Sequence, residues 1–356
     1  MVESMELKNF RGFKDLKLDD IQPLTVLSGK NNAGKSSILE GLFLYFDHAA
    51  PDSFAKINNF RKMPLSGETT AFWEPAFYNL DVKNGLRISL KLDGTQTDLS
   101  YMMDTSFVPT DIADTPQDLF NQFVSSAKNS YTLKFKYMFG PYQEDGHFVA
   151  GPSGVLRNIE TTEPGNHIKE MPFTQFISPM AVRNDTIVAE WIGKLELDGK
   201  KEQIIQALQI LDPAVSDISI IPKGGQIQLY VKLGSKLLPL GLAGDGLNRL
   251  LFIILSIVAN PDSVILIDEI DSGLHYSMYT ALWETIARTA REGRCQVIAS
   301  THSYECIVGA VEGIRKAGRA QDFCYYRISR DGQNTLAHRY SGELLDSAIS
   351  MNMEVR

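Results

Sequence analysis

A chain of 356 residues has room for one large domain or two smaller ones, and 44% hydrophobic with 22% charged residues is the balance of a globular protein with a sizeable core. The formal net charge of −8 argues against a surface that coats nucleic acid nonspecifically, although it leaves room for a local basic patch. No apolar run approaches the roughly 20 residues that cross a bilayer, and "MVESMELKNF" lacks the form of a signal peptide, so the expectation is a cytoplasmic protein without a membrane partner.

In chain order, "MELKNFRGFKDLKLDDI" alternates apolar and polar residues in two runs split by "RG", the pattern of a hairpin. Its Lys8, Arg11, Lys14 and Lys17 read as a solvated basic edge. "LTVLSG" is a short buried strand. From Ser36 to Phe46 the period is helical, with Ile38, Leu39, Leu42, Phe43 and Phe46 on one face. Between about 50 and 217 the texture changes. "ISLKL" and "YTLKFKYMF" alternate as half-buried antiparallel strands, separated by stretches rich in Asp, Thr, Pro and Gly, and "EQIIQALQIL" is an amphipathic helix.

After "QIQLYVKL", another alternating strand, "GDG" at 244–246 opens an apolar helix that runs to about Ala259. "SVILID" and "CQVIAST" are continuous apolar strands of the parallel kind, each followed by a helix, His275 to Arg291 and Tyr304 to Lys316. "DFCYYRIS" and "TLAHRYS" suggest a closing hairpin. Cys295, Cys306 and Cys324 have no metal-ligand spacing and read as reduced core residues. Strand–helix alternation in both terminal parts predicts an α/β nucleotide-binding core from 1–49 and 218–356, with a long insertion at 50–217.

"GKNNAGKS" (29–36) fits G-x-x-x-x-G-K-[ST] in the context the chemistry requires, a strand before and a helix after. Glycines let the backbone turn its amides toward phosphate, and the helix adds its positive end. Lys35 would reach the β- and γ-phosphates and Ser36 would ligate Mg²⁺. "SVILIDEID" ends a strand in Asp268, placed to hold the metal through water, and Glu269, placed to polarise an attacking water. Three further pieces have ordinary readings when taken singly: "AGDGLNRL", which opens a helix; "DSGLH", which makes a turn; and "IASTHS", which ends a strand in His302.

In this order the pieces resemble the ABC-type P-loop ATPase head of the RecF, SMC and OLD families, closest to compact stand-alone AAA-type proteins of anti-phage loci. The resemblance covers 1–48 and about 224–356. It implies a mixed sheet with an antiparallel β plus helical insertion. It makes "GKNNAGKSSILE" the Walker A segment, so that Gly29, Asn31, Asn32, Ala33, Gly34, Lys35, Ser36 and Ser37 face nucleotide. "VILIDEI" is then Walker B and His302 the switch histidine, with Glu269, His302 and Lys35 as the catalytic set. Arg11 or Phe13 would meet adenine, and Gln175 would be the Q-loop residue. The resemblance also implies a head-to-tail homodimer around two ATP molecules. There Gly244, Asp245 and Gly246 face the partner's γ-phosphate and Asp271 lies at the seam. The signature serine position reads as Ala243, and the expectation is of a head without a long coiled coil or a Toprim nuclease.

The functional expectation is a slow, partner-regulated ATPase acting as the sensor of an anti-phage or toxin system, its effector a separate Toprim-type nuclease or toxin. A RecF-like DNA-binding ATPase of repair is the alternative, disfavoured by net charge. A scaffold that binds ATP and barely hydrolyses it is a third; Ala243 favours it, Glu269 and His302 oppose it.

Overall fold

The computed structural model describes residues 1–63, 72–104, 132–151, 154–161, 171–179, 185–209, 212–224, 226–332 and 334–351. Strands β1 (Val2–Phe10) and β2 (Phe13–Asp19) form the expected hairpin, with Leu7 opposite Leu16. Strand β3 (Leu24–Ser28) leads through the glycine loop into α1 (Lys35–Phe46), which is followed by α2 (Ser53–Asn59). Next come β4 (Leu86–Leu92), β5 (Thr95–Asp104), β6 (Thr132–Phe139), β7 (Tyr142–Gly151) and β8 (Gly154–Thr161).

The second half runs β9 (Thr174–Ile177), α3 (Asp185–Leu197), α4 (Lys201–Gln209), β10 (Val215–Lys223), β11 (Gln226–Leu233) and β12 (Lys236–Pro239). It continues with α5 (Asp245–Val258), β13 (Val264–Ile267), α6 (Tyr279–Gly293), β14 (Gln296–Ser300) and α7 (Tyr304–Lys316). It closes with β15 (Phe323–Asp331), β16 (Asn334–Ser341) and α8 (Gly342–Ser350). The segments 64–71, 105–131 and 352–356, which carry parts of the expected insertion and the ending "MNMEVR", lie outside the described residues.

The chain divides into two compact units. The first holds Met1–Ile21, Asn32–Met171 and Ile328–Ala337. Its sheet has seven strands in the order β2-β1-β4-β5-β6-β7-β8, and every pairing in it is antiparallel. The expected insertion is therefore not a separate body here. The free edge of β1 takes β4 with Leu7 opposite Ile88, which removes an exposed edge and extends the apolar face of the hairpin. Helix α1 lies on that face, where a methyl group at Gly41 would meet Leu7 at 2.9 Å and Met5 at 3.0 Å. The one-sided apolar stripe expected for α1 is too narrow: of its residues only Ser36 is not buried.

The second unit holds Gln22–Asn31, Pro172–Arg327 and His338–Arg356. Its main sheet runs β16-β15-β3-β14-β13-β9, with β15, β3, β14, β13 and β9 parallel to one another. Every residue of β3, β13 and β14 is buried, as strands covered on both faces must be. Strands β10, β11 and β12 make a separate antiparallel sheet. The segment 172–217, expected in the insertion, belongs to this unit, since β9 completes the edge beside β13. The expected closing hairpin also has a larger role, because β15 pairs with β3 inside the sheet. The three cysteines are free and buried. No helix among the described residues is long and apolar enough to cross a membrane.

Helices α6 and α7 approach closely at two glycines one turn apart. A methyl group at Gly309 would meet Tyr279 Cβ at 2.6 Å, and one at Gly313 would meet the Thr280 carbonyl oxygen and, at 2.7 Å, the Glu284 nitrogen. Alanine gains about 1 kcal/mol of helix propensity over glycine. The clash at 313 is with backbone, which cannot move aside, and overpacking costs about 1–3 kcal/mol. Sterics therefore win. Gly313→Ala should lower the thermal midpoint by about 2–4 °C for each kcal/mol lost, read by differential scanning calorimetry. An unchanged or raised midpoint would contradict this packing.

Candidate nucleotide site

The glycine loop is shared between the units, residues 29–31 going with the second and 32–36 with the first. Its backbone needs the residues it has. Gly29 and Gly34 have φ of 138° and 103°, and Asn32 sits at 63°, a left-handed position that asparagine tolerates. A methyl group at Gly34 would collide with the Phe13 ring, so Gly34 is required by space as well as by φ. Helix α1 has no side-chain cap and no acidic residue in its first turn. A helix start that is to hold an anion needs both absences, because a cap competes for the amides and an acid repels the charge. Lys35 is 4% exposed, while Lys30, Asn31 and Asn32 are exposed.

One turn further along α1, Glu40 is 1% exposed and receives two arginines, Arg11 Nε at 2.9 Å and Arg61 Nε at 2.6 Å. Arg11 also donates to the Pro75 and Ile57 carbonyls, and Arg61 donates to Ser37 Oγ at 2.9 Å. Burial pulls the Arg11 guanidinium down from its usual range, and Glu40 opposes that pull. Arg11 is thus no part of a solvated edge: the turn after β1, with Arg11 at φ 52°, directs it inward, while Lys14 and Lys17 are exposed. Phe13 is fully buried beneath Gly34. In this structure both proposed adenine contacts are occupied with shaping the ground under the loop. Ser37, buried, serves Arg61.

In the second unit the carboxyl ends of four parallel strands lie side by side. The rung through Leu27 and Ser300 is followed by Gly29 after β3, Thr301 and His302 after β14, Asp268 and Glu269 after β13, and Ser178 after β9. Ser300 ties two of these ends together: its hydroxyl donates to Asp268 Oδ1 at 2.6 Å and accepts the Glu269 amide at 2.9 Å. Glu269 takes φ 47°, a left-handed position that costs a non-glycine residue roughly 1–2 kcal/mol. His302 Nε2 stands 3.7 Å from Glu269 Oε1, in line for an ion pair when the ring is protonated and beyond hydrogen-bond range otherwise. Both side chains are partly open to solvent. Gln175 lies two rungs back from the edge, opposite Ile265, with its amide on the Phe176 carbonyl, so it is not a loop residue.

The glycines at 244–246 do open a helix. Gly244 has φ 97° and ψ 149°, a region essentially reserved for glycine. A methyl group at Gly246 would meet the Gly273 carbonyl at 3.2 Å, so the start of α5 rests on the 271–275 turn. Asp245 stands exposed in the first turn, where it favours the helix and weakens the attraction for phosphate. Asp271 Oδ1 accepts from Thr301 Oγ1 at 2.6 Å, and that hydroxyl also receives the Ser303 amide at 3.1 Å, so turn and histidine loop are joined.

Residues 1–137 match the family described as "AAA ATPase domain", and residues 139–307 match "AAA domain, putative AbiEii toxin, Type IV TA system". Among solved structures, the Smc head bound to the C-winged helix domain of ScpA aligns with a TM-score of 0.55 at 13% identity, over 96% of this chain and 98% of that one. A second Smc head with an extended coiled coil, derived from Pyrococcus furiosus, gives 0.50 at 13% identity over 99% and 98%. At such identity the likeness is one of fold: α/β, with mixed sheets. The chain is an ATPase. A protein of Helicobacter pylori named "ATP/GTP phosphatase" is 29% identical to this ATPase over 97% of both chains. The "Uncharacterized protein MJECL10" of Methanocaldococcus jannaschii is 28% identical over 46% of this chain and 68% of its own.

Sequence reasoning passed over four polar residues of this ATPase. Ser300 and Thr301 were legible, since small hydroxyl residues at a strand end beside a histidine can bond the neighbouring loops. Arg61 and Arg249 carried no local signal, because their partners lie far off in sequence.

Proposed function

We propose that the chain is a Mg²⁺-dependent ATPase whose nucleotide state switches a head-to-tail homodimer, and that it serves as the regulatory ATPase of an anti-phage or toxin system with a separate effector. The observation that supports it best is the row of strand ends in the second unit, where Asp268, Glu269 and His302 stand on one sheet edge with Gly29, and Ser300 ties Asp268 and Glu269 to the end of β14. In this reading Lys35 and the amides that open α1 take the phosphates. Ser36 and Asp268 serve the metal, and Glu269 orients water, with His302 beside it. Gly29, Asn31, Asn32, Ala33 and Gly34 shape the loop.

The donor types fit a magnesium–nucleotide complex. They are hydroxyl and carboxylate oxygens, and no group of three or more His, Cys, Asp or Glu able to hold a metal occurs among the described residues. Mg²⁺ takes one or two carboxylates together with substrate phosphates and keeps several waters, so it needs no such group. The bound ion would neutralise charge on the transferred phosphoryl group.

The name of the Helicobacter relative supports turnover of GTP as well as ATP. The Smc-head likeness supports a dimer, with Gly244, Asp245, Gly246 and Asp271 toward the partner's nucleotide. The AbiEii-type match over 139–307 supports the toxin or defence setting. The test is static light scattering of Glu269→Gln with MgATP and with MgADP. A mass doubled by ATP alone supports the switch; identical masses in both would contradict it. Expression of the chain alone and with the product of an adjacent gene, under phage challenge, tests the effector. Robust ATP-dependent DNA cleavage by the purified chain alone would overturn that part.

A further inference from the structure

Arg249 lies on α5, four residues after Asp245, is partly buried, and reaches the end of β13. Its Nη2 donates to two main-chain carbonyls, Asp268 at 2.8 Å and Glu269 at 2.7 Å. Its Nε is buried and has no hydrogen-bond partner. Three carboxylates, Asp271, Asp268 and Glu269, act on the guanidinium through their charge, yet its short bonds go to backbone. Arg319, which is buried, shows the other pattern: its Nε meets the Asp322 carboxylate at 2.6 Å and its Nη1 the Ala287 carbonyl. Arg319 ties a helix end. Arg249 instead turns one nitrogen, Nη2, to the two peptide units that flank the left-handed Glu269.

We propose that Arg249 is a positioning residue for Glu269, fixing the 268–269 main chain so that the Glu269 carboxylate is held at the carboxyl end of β13. This rests on the reading of Glu269 as the residue that orients water. The geometry gives the reason. A glutamate at φ 47° returns toward the β region unless its neighbours hold it. Ser300 holds the amide side of both units, with its Oγ on the Glu269 N–H and its carbonyl on the Ile270 N–H at 2.9 Å. Arg249 holds the carbonyl side. Arg249 also borders a cavity of about 440 Å³, together with Ser178, Asn248, Phe252 and Ser272. Because Arg249 rides on the helix that Gly244 opens, a shift of that helix changes the support under Glu269.

The test compares Arg249→Met and Arg249→Lys, each alone and combined with Glu269→Gln, by steady-state phosphate release and MgATP affinity. Arg249→Met should lower kcat at least tenfold and leave the Kd for MgATP within about threefold. Lysine, whose ammonium can donate to the same carbonyls but lacks the fixed planar geometry of the guanidinium, should restore part of the loss. With glutamine at 269 there is no carboxylate to position, so adding Arg249→Met should change the residual rate less than twofold. Should Arg249→Met fail to fold by circular dichroism, the lysine variant carries the same comparison. Wild-type kcat in the folded variant, or an equal loss in both backgrounds, overturns the proposal. If Glu269→Gln alone keeps full turnover, the reading of Glu269 falls and this inference with it; if that variant is slow and Arg249→Met is not, only the inference falls.

Discussion

Glu269→Gln is expected to bind MgATP as the wild type does and to turn it over about a hundredfold or more slowly, as befits loss of a group acting in proton transfer or water orientation. Glutamine keeps the length and shape of the side chain, which is 41% exposed, and leaves the fold undisturbed. What it removes is the negative acceptor. The backbone hold on position 269 involves the amide on Ser300 and the carbonyl on Arg249, and neither uses the side chain. The substitution therefore separates the chemistry of the carboxylate from the geometry of the loop. Single-turnover phosphate release beside equilibrium binding of a fluorescent ATP analogue gives both quantities. Wild-type turnover would show that another group directs the water.

Lys35→Ala should abolish useful nucleotide binding. Lys35 is 4% exposed at the start of a helix that offers neither cap nor acid to compete for an anion. Removing one partner of a buried ion pair costs about 3–5 kcal/mol, and each 1.4 kcal/mol is tenfold, so affinity should fall a hundredfold or more. The thermal midpoint checks this without catalysis. Saturating MgATP should raise it in the wild type and leave it unmoved in the variant. Equal affinity of both proteins by titration calorimetry would sink the assignment of the loop.

The parts of the fold legible in the sequence were those set by local pattern. The continuous apolar strands around Val264–Ile267 and Gln296–Ser300, and the helix Tyr304–Lys316, stand where the periodicity predicted them. Pairing was less legible. Nothing local to "ISLKL" says that it joins β1 with Leu7 opposite Ile88, and nothing in "FTQFIS" says that it borders β13. Both are long-range pairings fixed by which apolar face must be covered, and this is why the boundaries at 49 and 217 do not coincide with the division into units.

The site shows the same division. The glycines of the loop declare themselves, because each sits where only glycine or asparagine is comfortable. Asp268, Glu269 and His302 stand just past the ends of apolar strands, where the sequence pattern put them. Arg11 was misread as surface because its partner, Glu40, lies 29 residues on. Arg249 was passed over because its partners are main-chain carbonyls 19 and 20 residues away, which no side-chain pattern records.

The central claim is that this chain hydrolyses nucleoside triphosphate at the site marked by its glycine loop and its acidic strand end. Phosphate release from ATP by the purified wild-type chain, with Mg²⁺ and again after chelation, tests it most directly. The account predicts slow, saturable release that stops with chelator and is absent from Lys35→Ala. Release that persists in Lys35→Ala, or none from the wild type under any condition, would contradict it.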